Sequence, residues 1–153
     1  MRALLALVAI SAIGCAHSKI PQTNIDDTPE NREILEIVTT YKNAMESLDA
    51  DAIISLVSPR YFENNGNTDR GDDYDYAQLR EQLARDFDRT KRIQLLLRID
   101  NIVVEEDKAY AYIQFTYRAQ SEYPAGMKWK TDSDKTRIEF ENSDGKWLII
   151  AGL

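Results

Sequence analysis

Tyr41-Lys-Asn-Ala-Met-Glu-Ser-Leu-Asp-Ala-Asp-Ala-Ile-Ile-Ser-Leu-Val57 is the stretch on which the reading of this chain turns. Its first half continues an apolar stripe that starts upstream. Ile34, Ile37 and Val38, Tyr41, Ala44 and Met45, and Leu48 recur at steps of three and four. That is the period of one helix face, and it predicts an amphipathic helix over 30–48. Thr28-Pro29-Glu30 reads as its start: a hydroxyl N-cap, proline at the first helical position, then an acid. Asp49 and Asp51 break the stripe and can cap a second, short helix carrying Ile53, Ile54, Leu56 and Val57, which Ser58-Pro59 stops.

Downstream, Tyr61 and Phe62 suggest a brief strand before a polar loop from Asn64 to Asp75. Asp75 and Gln78 have the spacing of a capping box, and Tyr76, Leu79, Leu83 and Phe87 mark the buried stripe of a third helix. After Arg89 the period changes to two. Ile93, Leu95, Leu97 and Ile99 alternate with polar or outward positions, and Glu106-Asp107 turns the chain. Ala109, Ala111, Ile113, Phe115 and Tyr117 then oppose Tyr110, Tyr112, Gln114, Thr116 and Arg118. Met127 to Glu141 alternates again, Asp144-Gly145 is a hairpin signal, and Trp147 to Leu153 follows. Three helices followed by four hairpin-linked strands define an α+β arrangement. Its sheet is antiparallel, because the connections are too short for crossovers.

The 153 residues carry Lys+Arg 19 against Asp+Glu 26, a formal charge of −7. Acidity of this kind repels phosphate backbones and disfavours generic nucleic-acid binding. At 43% hydrophobic and 29% charged, the composition is that of an ordinary folded domain. Met1 to Cys15 reads MRALLALVAISAIGC: a short positive end at Arg2, then an uncharged, mostly apolar run to Gly14. Twelve residues of helix rise only about 18 Å against a hydrocarbon core of about 30 Å, which favours a cleaved export signal, residues 1–14, over a permanent span. Ala12-Ile13-Gly14-Cys15 resembles the bacterial lipobox, with Ala12 where leucine is usual. The resemblance implies that Cys15 becomes the lipid-modified N-terminus. The plainer alternative makes it a small residue near an ordinary cleavage site. Residues 15–28 then read as a flexible tether, and 29–153 as the domain. In the lipoprotein families an aspartate after the cysteine retains the protein at the inner membrane. Ala16 is not one, so the resemblance implies outer-membrane delivery, facing the periplasm.

The order of elements resembles the NTF2-like superfamily, which includes nuclear transport factor 2, ketosteroid isomerase and SnoaL-type cyclases. Tyr41–Val57 looks like its first helix, acidic turn and second helix. Ile138-Glu-Phe-Glu-Asn-Ser-Asp-Gly-Lys-Trp-Leu-Ile-Ile150 looks like its last hairpin. The resemblance implies a cone: three N-terminal helices packed on a curved, mainly antiparallel sheet, with an apolar pocket between them.

Carried over by position, the isomerase tyrosine falls on Tyr41, the proton-moving base on Asn65 and the second acid near Thr136. Asparagine titrates no proton near neutral pH, so the base is missing. Glu63 lies two positions away and would replace it only through a register slip. Tyr41 also has a simpler reading, as a core aromatic. The lone histidine, His17, sits in the tether, which removes histidine-based dehydratase and nucleophilic machinery and argues against zinc. The oxygen-rich loop Asn64–Asp73 does not have the spacing of the EF-hand ligand loop. No metal and no cofactor is expected.

Tyr110, Tyr112, Gln114 and Arg118 share one strand face, with Trp129 on the neighbouring strand. If that face lines the hollow it can hold a small ligand; if it is the outer face, it suits a homodimer interface. The apolar set Ala109, Ile113 and Phe115 must face the helices, which favours the interface. The expectation is an envelope lipoprotein whose domain binds a small molecule or partner protein, in a hollow without any group able to move a proton. The alternative is a SnoaL- or isomerase-like enzyme.

Overall fold

The computed structural model describes residues 18–68 and 70–153. Cys15, His17 and the apolar run before them lie outside these, and so do the export signal and lipid anchor expected there. Among the described residues no helix is long and apolar enough to cross a membrane.

Helix α1, Pro29–Ser47, starts where its cap residues require: the Thr28 hydroxyl accepts from the Asn31 N–H at 3.1 Å. It ends at Leu48 in the left-handed conformation, whose N–H closes on Ala44 and Met45. Asp49 caps α2, Ala50–Ser55, by accepting from the Ala52 N–H. Leu56 and Val57, expected within this helix, fall beyond its end. Val57 bridges Ile149 in parallel, through Ser58 N–H to Ile149 O at 2.8 Å and Ile149 N–H to Leu56 O at 2.9 Å. Strand β1, Phe62–Glu63, pairs antiparallel with β2, Tyr74–Asp75. This β2 lies at the end of what the sequence reads as a polar loop; two residues are too few to show a period. The reciprocal Asp75/Gln78 capping box is present and opens α3, Tyr76–Arg89.

The four long strands form one antiparallel meander in the order β3 (Thr90–Glu105), β4 (Lys108–Tyr123), β5 (Gly126–Ser143) and β6 (Lys146–Ala151). The architecture is α+β, with three helices among the described residues, all ahead of this sheet but separated by the β1–β2 pair. Ile93, Leu95, Leu97 and Ile99 face inward as their alternation predicts. A bulge at Asp100 then resets the parity, so that Ile102 and Val104 face inward as well. The main core lies between the sheet's inner face and the helices, with Ile34, Val38, Ala109, Ala111, Ile138, Phe140 and Ile149 within 1% of full burial. A second cluster, Ile93, Leu95 and Ala119, packs under Tyr41, Met45, Leu48 and Phe87.

One boundary needs correction. The tether expected over 15–28 does not extend to Thr28. Lys19 and Asp26 pair as an antiparallel bridge, and Ile20 and Ile25 are buried in the main core at 6% and 2% exposure. Two isoleucines within six residues show no period, so only the tertiary contact reveals that this turn belongs to the packed unit. Asn31 secures it by donating to the Asp26 carbonyl at 2.9 Å.

Candidate functional site: a cavity between helix α1 and the sheet

A cavity of about 570 Å³ opens between the second half of α1, the β1–β2 connection and the inner face of β3, β4 and β5. Its wall is apolar where the strand alternation points Leu95, Leu97, Ile113, Phe115 and Ile138 inward, and Met45 covers it from α1. Polar groups enter from four sides: Tyr41 from α1, Tyr117 from β4, Thr136 from β5, and Glu63 at the end of β1 with Asn65 from the turn after it. Tyr41, Asn65 and Thr136, the three positions matched to isomerase roles, therefore share one cavity.

The hydroxyls of Tyr41 and Tyr117 have no hydrogen-bond partner among the described residues. Burial pushes the Tyr41 phenol well above its usual range, and the nearby Tyr74 and Tyr117 add to this. Tyr117 is raised chiefly by burial too, then by the charge of Asp86. Both are therefore protonated at neutral pH and available as donors.

The expectation that the hollow holds no group able to take up a proton is not met. Glu63 lines the cavity without any register slip, and so do Asp132 and Asp134. What they do there differs. Glu63 accepts the Gly152 N–H on one oxygen at 2.5 Å and the Asn65 N–H on the other at 2.8 Å. Its carboxylate thus clamps the last turn of the chain to the β1 turn. Asp132 and Asp134 are exposed and sit on the part of β5 that extends beyond its pairing with β6. The sequence reading missed them because it stopped at Thr136 on the basis of the isomerase match. The inward parity of β5, counted back from Ile138, finds them.

Asn65, the residue in the base position, is a structural amide. It adopts φ of 50° and donates from Nδ2 to the Asp72 carbonyl at 2.9 Å, holding the loop. Asn67 donates to the Asp72 carboxylate in the same loop. Among the described residues no cluster of three His, Cys, Asp or Glu side chains could hold a metal. Tyr61 and Tyr74 pack with their rings tilted by 36° and centroids 6.0 Å apart, and Tyr74 donates to the Leu153 carbonyl. Gly152 is required at this point. It has φ of 93°, and a Cβ there would stand 2.1 Å from the Arg137 carbonyl oxygen.

Tyr110, Tyr112, Gln114, Arg118 and Trp129 all lie on the outer sheet face and none lines the cavity. Of the two sites considered for them, the hollow is excluded. Arg118 stacks over Trp129 at 5.3 Å and Arg137 over Tyr110 at 5.1 Å, while Gln114 donates to Asp100 at 2.8 Å. Tyr112 and Trp129 remain 41% and 47% exposed.

An antiparallel sheet covered on one face by helices, with a cavity between the layers, is the NTF2-like fold, and solved structures bear this out. A conserved protein from Planctomyces limnophilus superposes with a TM-score of 0.69 at 14% identity, covering 80% of this chain and 92% of that one. A ketosteroid isomerase-like protein from Erwinia carotovora atroseptica gives 0.66 at 15% identity, covering 82% and 95%. A putative dehydratase of the NTF2-like family from Streptomyces avermitilis gives 0.65 at 14% identity, covering 80% and 92%. No protein-family model and no curated protein matches the chain.

Proposed function

We propose that this chain is a bacterial envelope lipoprotein, anchored through Cys15, whose NTF2-like domain binds a small apolar molecule bearing an acceptor oxygen and performs no chemistry on it. The observation that supports binding is the pairing of two unpartnered phenol donors, Tyr41 and Tyr117, with an apolar wall of five side chains. A carbonyl or anionic oxygen placed between those hydroxyls would satisfy both while the rest of the ligand covers Leu95, Leu97 and Phe115. The non-catalytic part rests on Glu63. The inner acid has both oxygens occupied by backbone N–H groups, and moving a proton through it would release the end of the chain.

Titration with the naphthalene sulfonate ANS tests the site, because the probe combines an aromatic body with acceptor oxygens. Tyr41→Phe/Tyr117→Phe should weaken it about a hundredfold, the value of two lost hydrogen bonds of about 1.4 kcal/mol each; unchanged affinity would place the probe elsewhere. For the anchor, an alkyne fatty acid fed to cells should label the wild-type chain and not Cys15→Ser.

A second reading keeps the SnoaL- or isomerase-like enzyme, because Tyr41 and Glu63 line the same cavity. Turnover of an enone or hydroxy-ketone substrate, lost in both Tyr41→Phe and Glu63→Gln while ANS still binds Glu63→Gln, would replace the binding reading with this one.

A further inference from the structure

We propose that the free edge of β5 pairs with the same edge of a second copy of this chain, antiparallel and centred on Thr131. This is an edge-to-edge dimer, distinct from one made through the outer face.

On its far side from β4, β5 is paired by β6 only from Glu139 to Ser143. Among the described residues no strand pairs with that side from Gly126 to Thr136, and every residue from Gly126 to Lys135 is exposed. Such an edge offers a row of unpaired N–H and C=O groups, which proteins either blunt or use.

The charges on this edge identify the occupant. Along the inner face β5 reads Lys128, Lys130, Asp132, Asp134: two cations, then two anions. An antiparallel twofold about Thr131 sets Lys128 opposite Asp134 of the partner subunit and Lys130 opposite Asp132 of the partner subunit. Symmetry repeats both contacts, making four complementary pairs. A twofold pairs each face with itself, so the register changes in steps of two. Centring on Asp132 would oppose two Asp132 side chains, and centring on Lys130 would oppose two lysines. Only the Thr131 register leaves no like charges facing.

Local contacts agree. None of the four charges has an ion-pair partner among the described residues. Asp132 and Asp134 accept only their neighbours' N–H groups, from Ser133 and Lys135, and Lys128 lies over the Tyr123 ring. On the outer face the same register opposes Thr131 to itself and Trp129 to Ser133. Its span also fits: Gly126 falls opposite Thr136, just short of Glu139, where the chain's own β6 takes over. Because Asp132 and Asp134 line the cavity, the partner's Lys130 and the partner's Lys128 would complete its mouth.

The full chain carrying Cys15→Ser should sediment as a dimer at about 50 μM, a concentration at which a micromolar interface is filled. In that background Thr131→Cys should cross-link to itself under mild oxidation, since directly opposed strand residues have Cα atoms about 4.5–5.5 Å apart. Lys128→Asp/Lys130→Asp should sediment as a monomer, and so should Asp132→Lys/Asp134→Lys. An equimolar mixture of the two should regain the dimer, which also shows that both fold. A monomeric parent chain would overturn the proposal. So would a dimer that survives both charge reversals, lacks the Thr131→Cys cross-link and dissociates on Trp129→Asp, because that dimer would use the outer face.

Discussion

The two ends of β5 belong to one alternating strand and meet opposite surroundings. Near β6, the inward positions of β4 and β5 are Ala109, Ala111, Ile138 and Phe140, all at 1% exposure or less. Further out along the same strand, the inward positions of β5 are Lys130, Asp132 and Asp134, all exposed. The period of two runs unbroken through both, so the backbone does not distinguish them. What differs is whether a helix lies opposite. The cavity forms where this cover gives out, with an apolar floor continuous with the core and an acidic rim belonging to an arm, the exposed outer end of β4 and β5 from Glu122 to Lys135.

The largest expected effect is in the covered half. Phe140→Ala removes a fully buried ring and should cost about 3–5 kcal/mol in urea unfolding; a loss below about 1 kcal/mol would mean the helices do not seal this end. Alkaline pH tests the same region. The Tyr41, Tyr61, Tyr74 and Tyr117 phenols are all raised, mainly by burial. An unfolded tyrosine ionises near pH 10 while these keep their protons, so their contribution is complete below that pH and is lost as pH climbs beyond it. Absorbance at 295 nm should therefore rise together with unfolding, and an early rise in the still-folded protein would show the phenols to be wet.

At the boundary, Glu63→Gln leaves one of two backbone N–H groups facing an amide NH₂. It should cost about 1–3 kcal/mol and speed exchange of the Gly152 amide. Unaltered exchange would show that the clamp is not what holds Gly152. Asp75→Ala removes the α3 cap for about 1 kcal/mol by thermal denaturation. The smallest effect belongs to the arm: Glu122→Ala breaks an exposed ion pair with Lys91 and should change stability by less than about 0.5 kcal/mol. A larger loss would mean that the arm is part of the cooperative core.

The pattern of legibility follows the same division. Helix α1, both hairpin turns at Glu106 and Asp144, and the Asp75/Gln78 cap could be read because each is encoded within a few consecutive residues. The bulge at Asp100 could not, since Ile99 and Ile102 make sense together only when β4 is laid alongside. Ile20 and Ile25 read as tether in the sequence because burying them requires a surface made by residues elsewhere in the chain. Glu63 was set aside on alignment grounds. Its place in the cavity comes from the tight turn at Asn65, whose N–H bonds back to the same carboxylate.

By itself the sequence determined the element order, the antiparallel connectivity and which strand residues share a face, since each follows from local period, caps and turns. Only the tertiary structure decided which face is covered, where that cover stops, and that Tyr41, Glu63, Tyr117 and Thr136 meet. Those are distances between segments far apart in the chain, set by the sum of packing contacts rather than by any neighbouring residue.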